Sequence, residues 1–255
     1  AVIRDGQWAA PPPRVAILQD GSQPPITEDL RFLRAVRAQA GERAQILLAL
    51  VQFLLSWQLL QALEAYTGMP AAQRSFGLTH YLSLQLFGYA AVLSLFVTPI
   101  LTMRQFSEMI RNGSYSLLSS APLSLTEILL GKYLAVLLFQ LLLVCLPVLL
   151  SLSLSYGSSL DLGLLAATTL GLLLLSASFS AIGLYFSALS GTPGLAVAGS
   201  YGTLLLLTIL DQDSFGRIAG LLQWAAWPGH YLSLQLGLVR STDLAYFGLL
   251  SLLFL

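Results

Sequence analysis

Charge is what this sequence has least of: 9% of its 255 residues are Asp, Glu, Lys or Arg, and 12 basic residues balance 12 acidic ones. A neutral chain has no basic field with which to hold nucleic acid. Cysteine is nearly absent too. The single Cys145 lies inside an apolar run and excludes a disulfide framework within the chain. The two histidines, His80 and His230, are far apart, and no cluster of metal-ligand spacing accompanies them. A phosphate-cradling loop is missing as well. Gly131-Lys132 has Thr126 where the first Gly of a P-loop belongs and Tyr133 where Ser or Thr belongs. The match to that pattern therefore fails. No cleavable signal peptide is visible and Ala1 is not an initiator Met, so we expect the true start upstream.

What fills the chain instead is hydrocarbon. Hydrophobic residues make up 56% of it and the mean hydropathy is +0.77, which excludes an ordinary soluble domain. The apolar runs are continuous and Leu-rich, without the period-two alternation of a membrane barrel. A helix needs roughly 20 apolar residues to cross the hydrocarbon core. Leu82–Met103, Tyr133–Ser155 and Leu164–Leu189 meet that requirement without a charge. Ile46–Leu63 is a further span despite Gln52, Gln58 and Gln61, and Leu195–Leu210 is shorter but uncharged. Leu244–Leu255 rises only about 18 Å as a helix, and we expect it to be the truncated start of a sixth span. The predicted fold is an all-α bundle of six transmembrane helices.

Arg31, Arg34, Arg37, Arg43, Arg104, Arg111 and Lys132 flank one side of these spans, and Arg74, Arg217 and Arg240 the other. The positive-inside rule puts the first group, and the N-terminus, in the cytoplasm. Residues 1–30 are a Pro-rich linker or the remnant of something upstream, and the transmembrane domain is expected over 31–255. "LRFLRAVRAQAGER" interleaves apolar and basic residues at helical spacing. It suits an amphipathic helix on the membrane surface, with a plain basic flank as the other reading.

The charged island "RQFSEMIRNGSYSLLSSAPLSLTEILLGKY" interrupts this oily chain between the second and third spans. Arg104, Glu108 and Arg111 fall on one helical face, and Phe106 and Ile110 share another. Asn112-Gly113 stops that helix, and Ser124 with Glu127 forms a capping box for the next. The product is a cytoplasmic knob with both signs of charge and an apolar side, fitted for a soluble partner. An ordinary solvated loop is the bland alternative.

"LTMRQFSEMIRNGSYSLLSSAPLSLTEILLGKYLA" resembles the signature of type-2 ABC transporter permeases, closest to the gliding-motility-like subgroup. Thr102, Arg104, Glu108, Gly113, Ser114, Pro122, Gly131 and Lys132 match the family's pattern. The late segment "WAAWPGHYLSLQLGLVRSTDLAYFGLLSLLFL" resembles the family's loop before its last helix. The chain departs at Met109, where a second acid is usual, and around Tyr115-Ser116. The resemblance implies that Arg104, Phe106, Glu108, Ile110, Arg111, Gly113 and Ser114 form a coupling element for a separate ABC ATPase. ATP-Mg would sit on that partner, with no cofactor in this chain. It also implies a dimer with a second permease copy or a paralogue.

Smaller features support packing. Ser176, Ser180, Gly183 and Ser187 line one face of the fourth span, and Gly194, Ala198 and Gly202 repeat every fourth position in the fifth. Small residues let membrane helices approach closely. Gln45, Gln52 and Ser56 form a polar stripe on the first span, explained by packing or by a cargo route. His80 and His230 open identical heptapeptides, "HYLSLQL", to which we assign a shared interfacial packing role rather than a paired site. Asp211 and Asp213 are read as a solvated helix end. Trp224, Trp227, Pro228 and His230 belong to an apolar, Pro-broken outer loop, expected to form short helices dipping into the outer leaflet with the Trp rings at headgroup level. An intramembrane protease would need Ser and His at one depth, and Ser190 and the histidines are predicted on opposite sides.

The function expected from all this is the permease subunit of an ATP-driven transporter in a bacterial inner membrane. A non-transporting scaffold that anchors an ATPase or an envelope or motility assembly is the alternative.

Overall fold

A computed structural model describes residues 3–4, 7–8, 26–70, 77–111, 125–154, 160–210 and 224–255. Two compact units divide the chain, residues 1–50 and 51–255. The first contains a two-residue antiparallel ladder, β1 (Ile3–Arg4) with β2 (Gln7–Trp8), and the beginning of helix α1 (Ile26–Gly68). One helix stands here where two were expected. The amphipathic segment and the first span run on without interruption at Gly41, because a single Gly costs a helix only about 1 kcal/mol and good helix formers surround it.

The second unit is built from helices: α2 (Leu78–Thr102), α3 (Arg104–Arg111), α4 (Leu125–Ser153), α5 (Leu162–Leu189), α6 (Pro193–Ile209), α7 (Trp227–Gln235) and α8 (Ser241–Phe254). Four described helices are long and apolar enough to cross a membrane, drawn from α1, α2, α4 and α5. Helices α6 and α8, with 17 and 14 residues, are shorter. At 1.5 Å per residue they rise about 25 and 21 Å, less than the roughly 30 Å of a hydrocarbon core.

Helix α5 is the hub, for α2, α3, α4, α6, α7 and α8 all pack on it. Its sequence explains this. Ser176, Ser180, Gly183 and Ser187 are buried, with Leu172, Leu175, Phe179 and Ile182 filling the space between neighbours. A Cβ at Gly183 would lie 2.1 Å from Thr102 Oγ1, so only Gly lets α2 come this close. At its start Asp161 caps α5, its Oδ1 accepting from the Gly163 and Leu164 N–H groups at 2.9 and 3.2 Å.

Lipid-facing positions are apolar by the same logic. On α1, Val51, Leu55, Leu59 and Ala62 are buried while Phe53, Trp57 and Leu60 are exposed. Many hydroxyls inside the spans bond back to their own helix, as Ser176 and Ser180 do, and a few polar groups are paired across helices. Gln140 Nε2 donates to Thr98 Oγ1, which donates to Ser94 O at 2.6 Å. Ser178 Oγ donates to Phe247 O at 3.0 Å, joining α5 to α8. Such bonds act as glue where hydrocarbon offers no other partner.

Candidate coupling site

Two ends of the second unit carry the unusual chemistry. At one end α2 stops at Thr102. Pro99 removes a backbone donor from its last turn, and Met103 makes a turn before α3 begins. The first N–H groups of any helix lack partners within that helix. Here Ser187, on the last turn of α5, supplies them from outside. Its hydroxyl oxygen accepts from Phe106 N–H at 3.0 Å and from Ser107 N–H at 3.4 Å, and its O–H donates to Met103 O at 3.1 Å. Ser187 is therefore an N-cap delivered by a neighbouring helix.

Lys132, on the second turn of α4, adds a tie. Its Nζ donates to Gln105 O and lies 4.3 Å from the centroid of the Phe106 ring. The half-buried Phe106 thus has an ammonium over one face. Sequence reasoning offered Phe106 as an anchor for a partner, and the structure engages its ring within the chain. Arg104 is exposed beside it. Glu108, Ile110 and Arg111 continue the same helix. Gly113, Ser114, Pro122 and Ser124 lie outside the described residues, as do Asp211 and Asp213.

The small-residue stripes separate into two kinds. Ser176, Ser180 and Gly183 are buried between helices of the chain. Gly194, Ala198 and Gly202 are exposed, and a Cβ on either glycine would meet nothing within 4 Å. The face of α6 packed inward is the adjacent one, Ala196, Ser200 and Leu204, with Gly199 pressed on the Phe186 ring. Periodicity found a stripe but not its direction, because small residues occur on both sides of this helix.

At the opposite end, α7 is wedged among α5, α2, α8 and α6. Trp227 departs from its expected place. Its ring is 6% exposed, stands edge-on to Phe179 at 5.4 Å and donates from Nε1 to Thr208 Oγ1 at 2.9 Å. The bundle has a buried slot for it, so it packs as core, while Trp224 remains exposed. Pro228 sits in the first turn of α7, where its missing N–H costs nothing. Gly237, at φ +80°, ends the helix, with Leu238 N–H on Ser233 O and Gly237 N–H on Leu234 O.

The repeated heptapeptides meet here. Ser83 Oγ donates to Gln235 O at 2.9 Å, and Gln235 Nε2 donates to Ser83 O at 3.1 Å. The first copy buries Leu82, Ser83 and Leu86, whereas the second buries Tyr231, Leu234 and Gln235. Identical strings present different faces because each is rotated to its own neighbours. Tyr231 reaches further, donating to Phe87 O at 2.9 Å.

The family model of the ABC-2 family transporter protein matches residues 39–225, well over half of the chain. The chain belongs to this family. As an ABC-2 protein it is a permease component of an ABC transporter and a multi-pass membrane protein, with an ABC ATPase as the kind of partner the family normally takes. A second family model, for a protein of unknown function (DUF2868), matches residues 2–75. No curated protein and no solved structure matches this ABC-2 chain.

In this ABC-2 protein a recess of about 380 Å³ opens between α4 and α5, walled chiefly by leucines such as Leu134, Leu138 and Leu174. Among the described residues no group of three or more His, Cys, Asp or Glu side chains is placed to hold a metal.

Proposed function

We propose that this chain is the six-span permease subunit of an ATP-driven transporter of a bacterial inner membrane, with its N-terminus and α3 in the cytoplasm. Helices α6 and α8 serve as the fifth and sixth spans. They fall short of the full core thickness, and α7, buried in protein, fills the outer leaflet beside them. A separate ATPase subunit binds ATP-Mg and grips α3, and a second copy or a paralogue completes the dimer. The likeness to gliding-motility permeases in the island and the last segment belongs to this reading.

The capping of α3 by Ser187 carries the proposal. A force on α3 is passed through three hydrogen bonds to the end of α5, with Lys132 tying α4 to the same turn. Helix α5 then reaches α7 at the far end, where a Cβ on Gly171 would lie 2.9 Å from Leu234 Cβ. ATP-driven closure of two ATPase subunits would push α3 as a lever, and α5 would transmit the displacement to the outer cap.

The test is reconstitution with the ATPase subunit in proteoliposomes. The permease alone should not hydrolyse ATP, and the complex should turn over faster with cargo present. Turnover indifferent to any cargo would favour a scaffold. Glu108→Lys should weaken co-purification of the ATPase, more at low salt than at high salt, because screening shortens the reach of the altered charge. A cysteine replacing Asn112 should be protected from an impermeant thiol reagent applied outside cells, and one replacing Gly216 should react.

A further inference from the structure

At the α7 end of the bundle, side chains distant in sequence find one another. His230 Nδ1 lies 2.7 Å from Asp243 Oδ1, and Ser83 and Gln235 exchange two hydrogen bonds. The hydroxyl of Ser151, in the last turns of α4, has no such partner. Ser151 is 2% exposed, and its Oγ is buried without a hydrogen bond. Ser176, Ser180 and Ser200 each donate to the carbonyl four residues back at 2.7 Å, and Ser151 does not. It borders instead a cavity of about 10 Å³, walled by Leu82, Phe87, Leu160 and Leu165 and shared with Thr79 and Ser83.

We propose that this cavity binds one ordered water molecule, which ties the last turns of α4 to the first turns of α2. The size suits it, since roughly 10–15 Å³ is the least space that holds a water. The polarity suits it as well. A cavity lined by hydrocarbon alone stays dry, whereas a buried water needs two to four polar partners. Three buried hydroxyl residues border this one, and none of them is bonded to another.

Their hydrogens and lone pairs close around a water. Each hydroxyl has one hydrogen and two lone pairs. Ser83 directs its hydrogen to Gln235 O and His80 O, both at 2.9 Å, which leaves its lone pairs for a donor. Thr79 Oγ1 accepts the Asp161 N–H at 3.1 Å, and among the described residues nothing takes the Thr79 hydrogen. Ser151 has a hydrogen and lone pairs to offer. A water that accepts from Thr79 and donates to Ser83 and Ser151 makes three hydrogen bonds, the usual number for a buried water.

Pro147 gives that water a mechanical role. It has no N–H, so Leu143 O loses its helical donor and the turns of α4 beyond are held less firmly. Ser151 lies one turn past that break. The water ties this turn to Thr79, and so to Asp161, the N-cap residue of α5. It also ties it to Ser83, and so to Gln235 of α7. Four helices thus meet at one solvent molecule. The site takes no part in the coupling path and holds whether or not the chain transports anything.

The direct test is a crystal structure of the full chain, grown from a lipid mesophase, at a resolution that shows ordered waters. A density peak should lie in this cavity, within hydrogen-bonding distance of Ser151 Oγ and of Thr79 Oγ1 or Ser83 Oγ. An empty cavity, or a peak that fails to bridge Ser151 to either, overturns the proposal. Stability gives an independent sign. Were the Ser151 hydroxyl unpaired, Ser151→Ala would remove a buried orphan and introduce the best helix former, so the unfolding temperature would rise. With the water bound, the substitution removes a hydrogen bond and should lower the unfolding temperature by about 2 °C. A variant that unfolds at or above the temperature of its parent counts against the water as firmly as an empty cavity.

Discussion

Gly183→Ala should lower the unfolding temperature of the purified chain, and Gly202→Ala should leave it unchanged or raise it. The two substitutions are chemically identical and both glycines lie in helices, so intrinsic propensity favours Ala at each by about 1 kcal/mol. Only the surroundings differ. At Gly183 the new methyl meets Thr102 Oγ1 at 2.1 Å and Thr102 Cβ at 2.9 Å. Thr102 has little room to yield. It is β-branched and fully buried, and its hydroxyl donates to Thr98 O at 3.0 Å. Overpacking of this kind costs roughly 1–3 kcal/mol, more than the propensity gain. At Gly202 the methyl meets nothing within 4 Å. Thermal unfolding of both variants in one detergent decides the matter. A Gly183→Ala chain as stable as its parent would mean that α2 and α5 are not this close.

Ser187→Ala should loosen the start of α3 while the rest of the bundle holds. The hydroxyl satisfies two N–H groups and one carbonyl at the junction of α2 and α3. Losing an N-cap costs about 0.5–2 kcal/mol, and 1.4 kcal/mol is a factor of about ten in an opening equilibrium. Hydrogen exchange at the Phe106 and Ser107 amides should therefore accelerate roughly tenfold, with exchange in the middle of α5 unaltered. In the assembled transporter the same variant should keep its ATPase subunit, since the cap faces the bundle, but lose cargo stimulation of turnover. Unchanged exchange at Phe106 and Ser107 would remove Ser187 from the coupling path.

How much of this was legible beforehand depended on the range of the interaction. The bounds of α5 follow from composition nearly to the residue, with Leu162–Leu189 observed against Leu164–Leu189 expected. The two-residue gain comes from Asp161, a cap that a hydropathy window overlooks because it scores only the charge. The charges after Met103 marked the end of the second span, but Pro99 in its last turn went unread and the span was expected to continue into the short helix. Trp227 was misplaced because an aromatic near an apolar, Pro-broken loop looks the same whether it faces headgroups or a slot beside Phe179. The twin heptapeptides gave no hint that Ser83 of one would bond Gln235 of the other.

Hydrophobicity and periodicity act along the chain, so the solvent, the helical class, the main spans and the charged island could be read from the order of residues alone. Partners 80 or 150 positions apart leave no such trace. Only packing decided that Ser187 caps another helix, that Gly183 rather than Gly202 is closed off, that Lys132 covers Phe106 and that His230 finds Asp243. In a bilayer many faces of an apolar helix cost the same toward lipid. The choice among them falls to close approach and to a few buried polar groups, and those depend on where every other helix has come to rest.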